Sequence, residues 1–201
     1  MSSEVFIISA ARGTDASQAI RQAVEAAGVK PSHVQDVVFQ HGLEATMADP
    51  ARTTRAAGLS CPSVSVSGSL RAIFFAAQSI LSGDVEVSVV AAAENEMGSA
   101  LVLAGPEAVG RWNLMPRVRL AARSLAGPEA ALRTAGIAAS EVSVSQHGDS
   151  LSLIASVLDE LEGGASKWAM VTQGDLALLL ESSQALEIRT RRAGNATRST
   201  S

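Results

Sequence analysis

The sequence predicts an α/β fold in which strands alternate with helices, and three observations predict it. Short β-branched and apolar runs at residues 5–9, 34–39 and 62–66 are separated by stretches whose apolar residues recur at three and four. Residues 85–93 form a nearly unbroken apolar run of strand type, as in a strand covered on both faces. Residues 68–81 are apolar nearly all round, which predicts a buried helix. Strands alternating with helices imply right-handed crossovers and a mainly parallel sheet.

Taken in order, residues 5–9 predict the first strand, and Arg12-Gly13-Thr14-Asp15 a turn that hands over to a helix with Thr14 or Asp15 as N-cap. Ala19, Ile20, Ala23, Val24 and Ala27 then share one helical face, and Gly28 stops the helix. Residues 34–39 form a second strand, and 50–57 a short helix closed by Gly58. Residues 62–66, which open on Pro62 and close on Val66, form a third strand alternating valine with serine. The helix at 68–81 carries Leu70, Ile73, Phe74, Ala77 and Ile80 on one side and Phe75 and Ala76 on the other, and Gly83-Asp84 ends it. Residues 104–119, with two glycines, two prolines and Trp112, break the rhythm and read as a linker. Trp112 is a candidate interface residue, or simply packs the linker down. The pattern restarts with a helix at 123–135, a strand at 141–145, a helix at 150–162 closed by Gly163-Gly164, and two strands at 168–172 and 176–181. Gly174-Asp175 between the last two is a hairpin signal. Residues 1–103 and 120–188 thus form two halves, and the polar stretch 189–201 reads as a disordered basic tail.

With 201 residues, 47% of them hydrophobic and 18% charged, the chain has enough apolar material for one substantial core or two small ones. No apolar run approaches the ~18 residues of a membrane helix. Residues 1–11 hold no basic region ahead of their short apolar stretch, so no export signal is expected and a cytoplasmic location is. Aromatics are 3% with no tyrosine, which leaves little for base stacking and argues against a nucleic-acid partner. The net charge is −4, and four of the 16 basic residues follow Ile188 with no acid among them, leaving −8 on the rest. One cysteine, Cys61, excludes an internal disulfide and a cysteine zinc cluster. His33 and His41 lack ligand spacing with any partner, and Glu94 and Glu96 read as solvating or capping carboxylates, so no metal site is expected. Gly163-Gly164 lacks the Lys-Ser/Thr of a phosphate loop.

Several segments, in order, resemble the thiolase family of acyl-CoA acyltransferases. Val5-Phe6-Ile7-Ile8-Ser9-Ala10-Ala11-Arg12 is similar to its first strand, Ala27-Gly28-Val29-Lys30-Pro31 to its first helix end, and Asp49-Pro50-Ala51-Arg52 to its Asn-Pro-Ala-Arg segment. Leu70-Arg71-Ala72-Ile73 through Gln78-Ser79-Ile80 resembles its central buried helix, and Ala93-Glu94-Asn95-Glu96-Met97 stands where the family has Gly-Met-Glu-Ser-Met. The second half is similar more faintly, through Gly127-Pro128, Leu132-Arg133, Ala135-Gly136-Ile137, the helix at 150–161 and the strand at 174–181. The resemblance implies a thiolase-like layered αβαβα sandwich, here reduced, with mainly parallel mixed sheets around a buried central helix.

Thiolases act through a cysteine at a helix N-terminus, a histidine that lowers its pKa and a second cysteine that moves a proton. The chain departs at each point. Between Pro62 and Leu70 it is shorter than the family pattern, and Val66 falls where the nucleophile belongs. Cys61 lies a strand length away and reads as a small buried hydrophobe. The Asn-Glu-Ala-Phe and Gly-His-Pro boxes are absent, Thr172-Gln173-Gly174-Asp175 replaces the Cys-x-Gly loop, and only residues 104–119 stand in place of the long CoA-covering insertion.

No catalytic residue is therefore expected, with Ser67, Ser69 and His147 as fallback candidates. His147 reads as a displaced general base or as a solvated loop histidine before an N-cap at Asp149. Ser67 and Ser69 read as hydroxyl replacements for the thiol or, more simply, as helix caps. Arg111, Arg117, Arg119 and Arg123 are candidates for meeting CoA phosphates, or are solvated linker charges. The expected function is that of a thiolase-like protein inactive as a thiolase, serving as a scaffold, regulatory or acyl-CoA-binding subunit in acyl-CoA (lipid) metabolism. An acyltransferase or thioesterase using a serine-histidine pair is the alternative. No cofactor is expected beyond coenzyme A or an acyl-CoA as ligand. A homodimer through the 62–66 strand is expected, with a hetero-complex beside an active acyl-CoA enzyme as a further partner.

Overall fold

The computed structural model describes residues 4–41, 49–94, 97–164 and 166–183. The first half runs β1 (Phe6–Gly13), α1 (Ala16–Ala26), β2 (Asp36–His41), α2 (Pro50–Ala56), β3 (Ser63–Ser67), α3 (Ser69–Ser82), β4 (Val87–Glu94) and β5 (Met97–Ala104). After α4 (Pro106–Trp112), the second half runs β6 (Val118–Ser124), α5 (Pro128–Ala135), β7 (Val142–His147), α6 (Leu151–Glu162), β8 (Trp168–Gln173) and β9 (Leu176–Ser182). Local chemistry explains several boundaries. The Asp15 carboxylate caps α1 by accepting from the Gln18 N–H at 2.8 Å, Pro50 opens α2 at a position with no N–H to satisfy, and Gly83 ends α3 in the left-handed region at φ 83°.

The strands form one nine-stranded sheet in the order β3-β2-β4-β5-β1-β6-β9-β8-β7. Within each half every strand but the last runs the same way: β5 is antiparallel to β1 and β4, and β9 to β6 and β8. The halves meet through a short antiparallel seam, Phe6 opposite Arg119 and Ile7 opposite Val118. The second half repeats the first with a piece removed. A 3-10 turn precedes both β2 and β7, each of these strands has six residues ending in Gln-His, and each half closes on an antiparallel pair. Only the α2–β3 unit has no counterpart: β7 passes through three residues into α6.

Side-chain alternation then builds the layers. On one face of the first half's strands, Val37, Val89 and Val102 meet Ala19, Ile20 and Ala23 of α1. On the other face, Val38, Val90 and Leu101 meet Leu70, Ile73 and Ala76 of α3. Leu151, Ile154 and Leu158 of α6 belong to that same central cluster, as do Ala169, Leu178 and Leu180 of the second half's strands. Beyond those strands Ala131 of α5 packs on Ala122, Met170 and Leu179. The sheet therefore folds over at β1 and β6 around α3 and α6, which gives the expected five layers, αβαβα. Each fully buried leucine or isoleucine of the central layer contributes roughly 2 kcal/mol.

Four expectations are corrected. Residues 104–119 are not a linker. They hold the end of β5, all of α4 and the start of β6, with Ala108 and Leu114 buried and the Trp112 ring stacked on His33 at 4.2 Å. Gly105-Pro106 starts a helix there rather than breaking one. The helix expected over 123–135 begins only at Pro128, because residues 118–124 form β6, whose Arg119 is carried into the interior by pairing with Glu181 and Glu4. The N-cap of α6 is Ser150, which accepts from the Ser152 N–H at 3.1 Å, not Asp149. Helix α3 is not buried all round: Arg71, Phe75 and Gln78 form an exposed flank, with Phe75 45% exposed. The tail at 189–201 and Asn95-Glu96 lie outside the described residues.

Asp36, at the start of β2, carries a half-buried carboxylate whose Oδ1 has no hydrogen-bond partner, and burial raises its pKa against a partly opposing contribution from Ser88. A raised folded-state value means that Asp36 favours folding below the ordinary aspartate pKa of about 4 and loses this contribution as pH rises through the raised value. Asp36→Asn is expected to raise Tm at pH 7 by about 1–3 °C, a small gain because solvent screens the site, with the difference shrinking below about pH 4. Thermal melts of both proteins from pH 3 to pH 8 check it, and a lower Tm at pH 7 refutes it.

Candidate functional site

Crossovers that return strands in one direction bring their C-terminal ends together, and a ligand cleft forms where such ends diverge. Here a cleft of about 1090 Å³ is lined by His41 at the end of β2, Val66 and Ser67 at the end of β3, and Gly68 at the start of α3. The second half supplies Arg123 and Leu125 at the end of β6, Asp149 between β7 and α6, and the β8–β9 turn of Gln173, Gly174 and Asp175. The remaining wall is the exposed flank of α3, where Arg71, Phe74, Phe75 and Gln78 recur at helical spacing.

The N-terminus of α3 is the centre of this site. Its peptide dipoles end in unpaired N–H groups that favour an anion. The anion is the Asp149 carboxylate, which reaches from the second half and accepts from the Ser69 N–H at 2.5 Å. Neither Ser67 nor Ser69 caps the helix through its side chain, which corrects the expectation that they do. Gly68 stands at the N-cap with φ 89°, and a side chain there would press on Gln173, 3.1 Å from its Nε2, so this turn requires glycine. The Ser69 Oγ is fully enclosed and has no hydrogen-bond partner among the described residues, and the same holds for Gln173 Oε1.

The fallback triad is not assembled. His147 lies outside the cleft lining, and its Nδ1 is 3.0 Å from Thr172 Oγ1, with which it also pairs in the sheet register. The histidine in the cleft is His41, which sits opposite Ser67 in the β2–β3 ladder, and the two side chains make no hydrogen bond. Val66 lines the cleft where the family nucleophile was expected. Cys61 is at the other end of β3, packed against the outer cluster, and burial raises its thiol pKa with the Asp36 charge adding to the effect. Its environment is the opposite of an activating one.

Three of the four candidate phosphate-binding arginines are held by acids: Arg111 by Glu86 at 2.8 Å, Arg117 by Asp159 and Glu162, and Arg119 by Glu181 and Glu4. Only Arg123 faces the cleft, and its guanidinium donates to the Phe74 carbonyl at 3.3 Å. Arg71 was missed from sequence, although it is the one charged residue of α3. Among the described residues no three His, Cys, Asp or Glu side chains gather where they could hold a metal.

No protein-family model matches the sequence, and no curated protein matches it. Solved structures do. Human mitochondrial 3-ketoacyl-CoA thiolase in complex with CoA superposes with a TM-score of 0.78 at 11% identity, over 89% of this chain and 98% of that one. Acetyl-CoA acetyltransferase from Syntrophomonas wolfei gives 0.76 at 13% identity over 89% and 99%, and that of Bacillus anthracis 0.72 at 13% over 89% and 98%. The chain has a thiolase-like fold.

Removing the Asp149 carboxylate exposes the N-terminal dipole of a helix whose first turn is enclosed. Asp149→Ala is expected to lower unfolding stability by about 1–2 kcal/mol, and Asp149→Asn, which keeps an acceptor oxygen, by roughly half as much. Urea unfolding measures both, and an Asp149→Ala protein as stable as the parent sinks this assignment.

Proposed function

We propose that the chain is a non-catalytic thiolase-like subunit that binds an acyl-CoA and serves as a scaffold or regulatory partner beside an active acyl-CoA enzyme. The observation that carries this reading is the Asp149 carboxylate on the N-terminus of α3. A thiolate is stabilised there in the resembled family. Here the favourable field is already taken by a structural carboxylate, which cannot leave without uncapping the helix. A second negative charge beside it would be disfavoured, so the position does not suit an anionic nucleophile. The cleft nonetheless persists at 1090 Å³, in the range of small-molecule sites.

Calorimetric titration with acetyl-CoA and acetoacetyl-CoA, followed by intact-mass measurement of the same samples, tests the reading. Binding without a mass increase is the expected outcome. A covalent acyl adduct would overturn the reading, and one on Ser67 or Ser69 would restore the serine-histidine acyltransferase or thioesterase alternative, with His41 rather than His147 as the base.

The scaffold reading also needs an assembly surface, and β3 supplies a candidate. It is the terminal strand of the sheet, it carries no charge, and Val64 is 37% exposed. Such an edge is open to pairing with a second copy. Ser65→Pro, which removes a backbone donor from the strand, is expected to convert a dimer to a monomer in sedimentation velocity. An unchanged sedimentation coefficient would move the interface elsewhere.

A further inference from the structure

Two guanidinium groups on the cleft wall have no carboxylate partner among the described residues. Arg71 projects from α3 two residues past the helix start, and among the described residues it makes neither an ion pair nor a hydrogen bond. Arg123 comes from β6 on the opposite half, and its one hydrogen bond is to the main-chain carbonyl of Phe74. Phe74 is three residues beyond Arg71, so both cations border the same stretch of α3. Burial lowers the Arg123 pKa, the mark of a cation that has lost water without gaining an anion. Of the arginines in the β5–β6 region, Arg111, Arg117 and Arg119 are paired with acids, whereas Arg123 has none among the described residues.

Position says which anion suits them. From Ser69 to Phe74 is five residues of helix, about 7.5 Å along the axis. At the N-terminal end of α3 the cleft is lined by Ser67 and Gln173, whose hydroxyl and amide groups suit the polar atoms of a thioester or amide. A charge reached within 7.5 Å of that point belongs to the acyl chain, because the pantetheine arm carries the CoA phosphates far from the sulfur. Phe74 and Phe75 line the interval between with apolar surface.

We infer that the cleft selects an acyl group ending in a carboxylate, a short dicarboxylic acyl thioester, with Arg71 and Arg123 gripping the distal carboxylate. This rests on the acyl-thioester reading above. Planar guanidinium groups suit carboxylate recognition, and two of them from opposite halves would close over the ligand end. Asp149 and Asp175 also line the cleft; Asp149 is engaged by the Ser69 N–H, and Asp175 lies in the β8–β9 turn, where it opposes an incoming anion.

Calorimetry with glutaryl-CoA against butyryl-CoA tests the inference, because the two esters share every phosphate and differ at the chain end. Glutaryl-CoA is expected to bind about tenfold or more tightly, and Arg71→Gln and Arg123→Gln each to remove most of that preference while changing butyryl-CoA by less than about threefold. Asp175→Asn is expected to strengthen glutaryl-CoA alone, and Arg123→Lys to retain part of the preference. Unchanged Tm values verify that the variants fold. Equal affinity for the two esters, or a preference that survives both glutamine variants, overturns the inference. Free glutarate and free butyrate are run alongside: if neither ester binds but glutarate does so in an Arg123-dependent manner, the carboxylate site stands and the thioester reading falls. If glutarate fails as well, both fall.

Discussion

Everything in this molecule follows from the need to cover α3 on two faces. Leu70, Ile73, Ala76 and Ala77 are entirely buried, and one sheet can cover only one side of such a helix. The chain answers by building a second, shorter sheet half and folding it over at the β1–β6 seam, so that α3 and its counterpart α6 share the middle layer. That seam is only two residue pairs long. The join therefore depends on the central cluster, which draws from both halves, more than on strand pairing.

Burying α3 creates an electrostatic problem at its first turn. In water the free N–H groups would be solvated, but here the turn faces the other half. Asp149 solves it from a distance of 80 residues, and by doing so ties the β7–α6 connection to the first half. The same residue therefore sets the stability of the inter-half junction and the character of the cleft. The shortened second half bears on the cleft too, since β7 enters α6 through three residues, and this tight connection places Asp149 over α3.

Legibility in the sequence followed the range of the interactions. Helices α1, α3 and α6 and the β8–β9 hairpin were readable because their signals, apolar periodicity, caps and a Gly-Asp turn, are local. Strand β6 was not, because Arg119 and Arg123 make Val-Arg-Leu-Ala-Ala-Arg-Ser look like the start of a helix, and only Glu181 and Glu4, far away in sequence, make a strand of it. For the site, Val66 and residues 173–175, both singled out in sequence, do line the cleft. Of His147's two readings, general base or solvated histidine, neither could be chosen from sequence; β2 and β7 both end in Gln-His, and it is His41 of β2 that lines the cleft. Arg71 had a usable signal, the single charge of α3.

The sequence by itself determined the alternation of strands and helices, the buried helix at the centre and the presence of a single thiol. These are properties of residue type and spacing over fewer than about twenty positions, which periodicity and composition report directly. The tertiary structure alone decided which carboxylate sits on the N-terminus of α3, which histidine lies opposite Ser67, and which arginines line the cleft without an acid among the described residues. Those outcomes depend on groups brought together from opposite halves, and neither hydrogen bonds nor ion pairs across such separations leave a periodic trace in the chain that makes them.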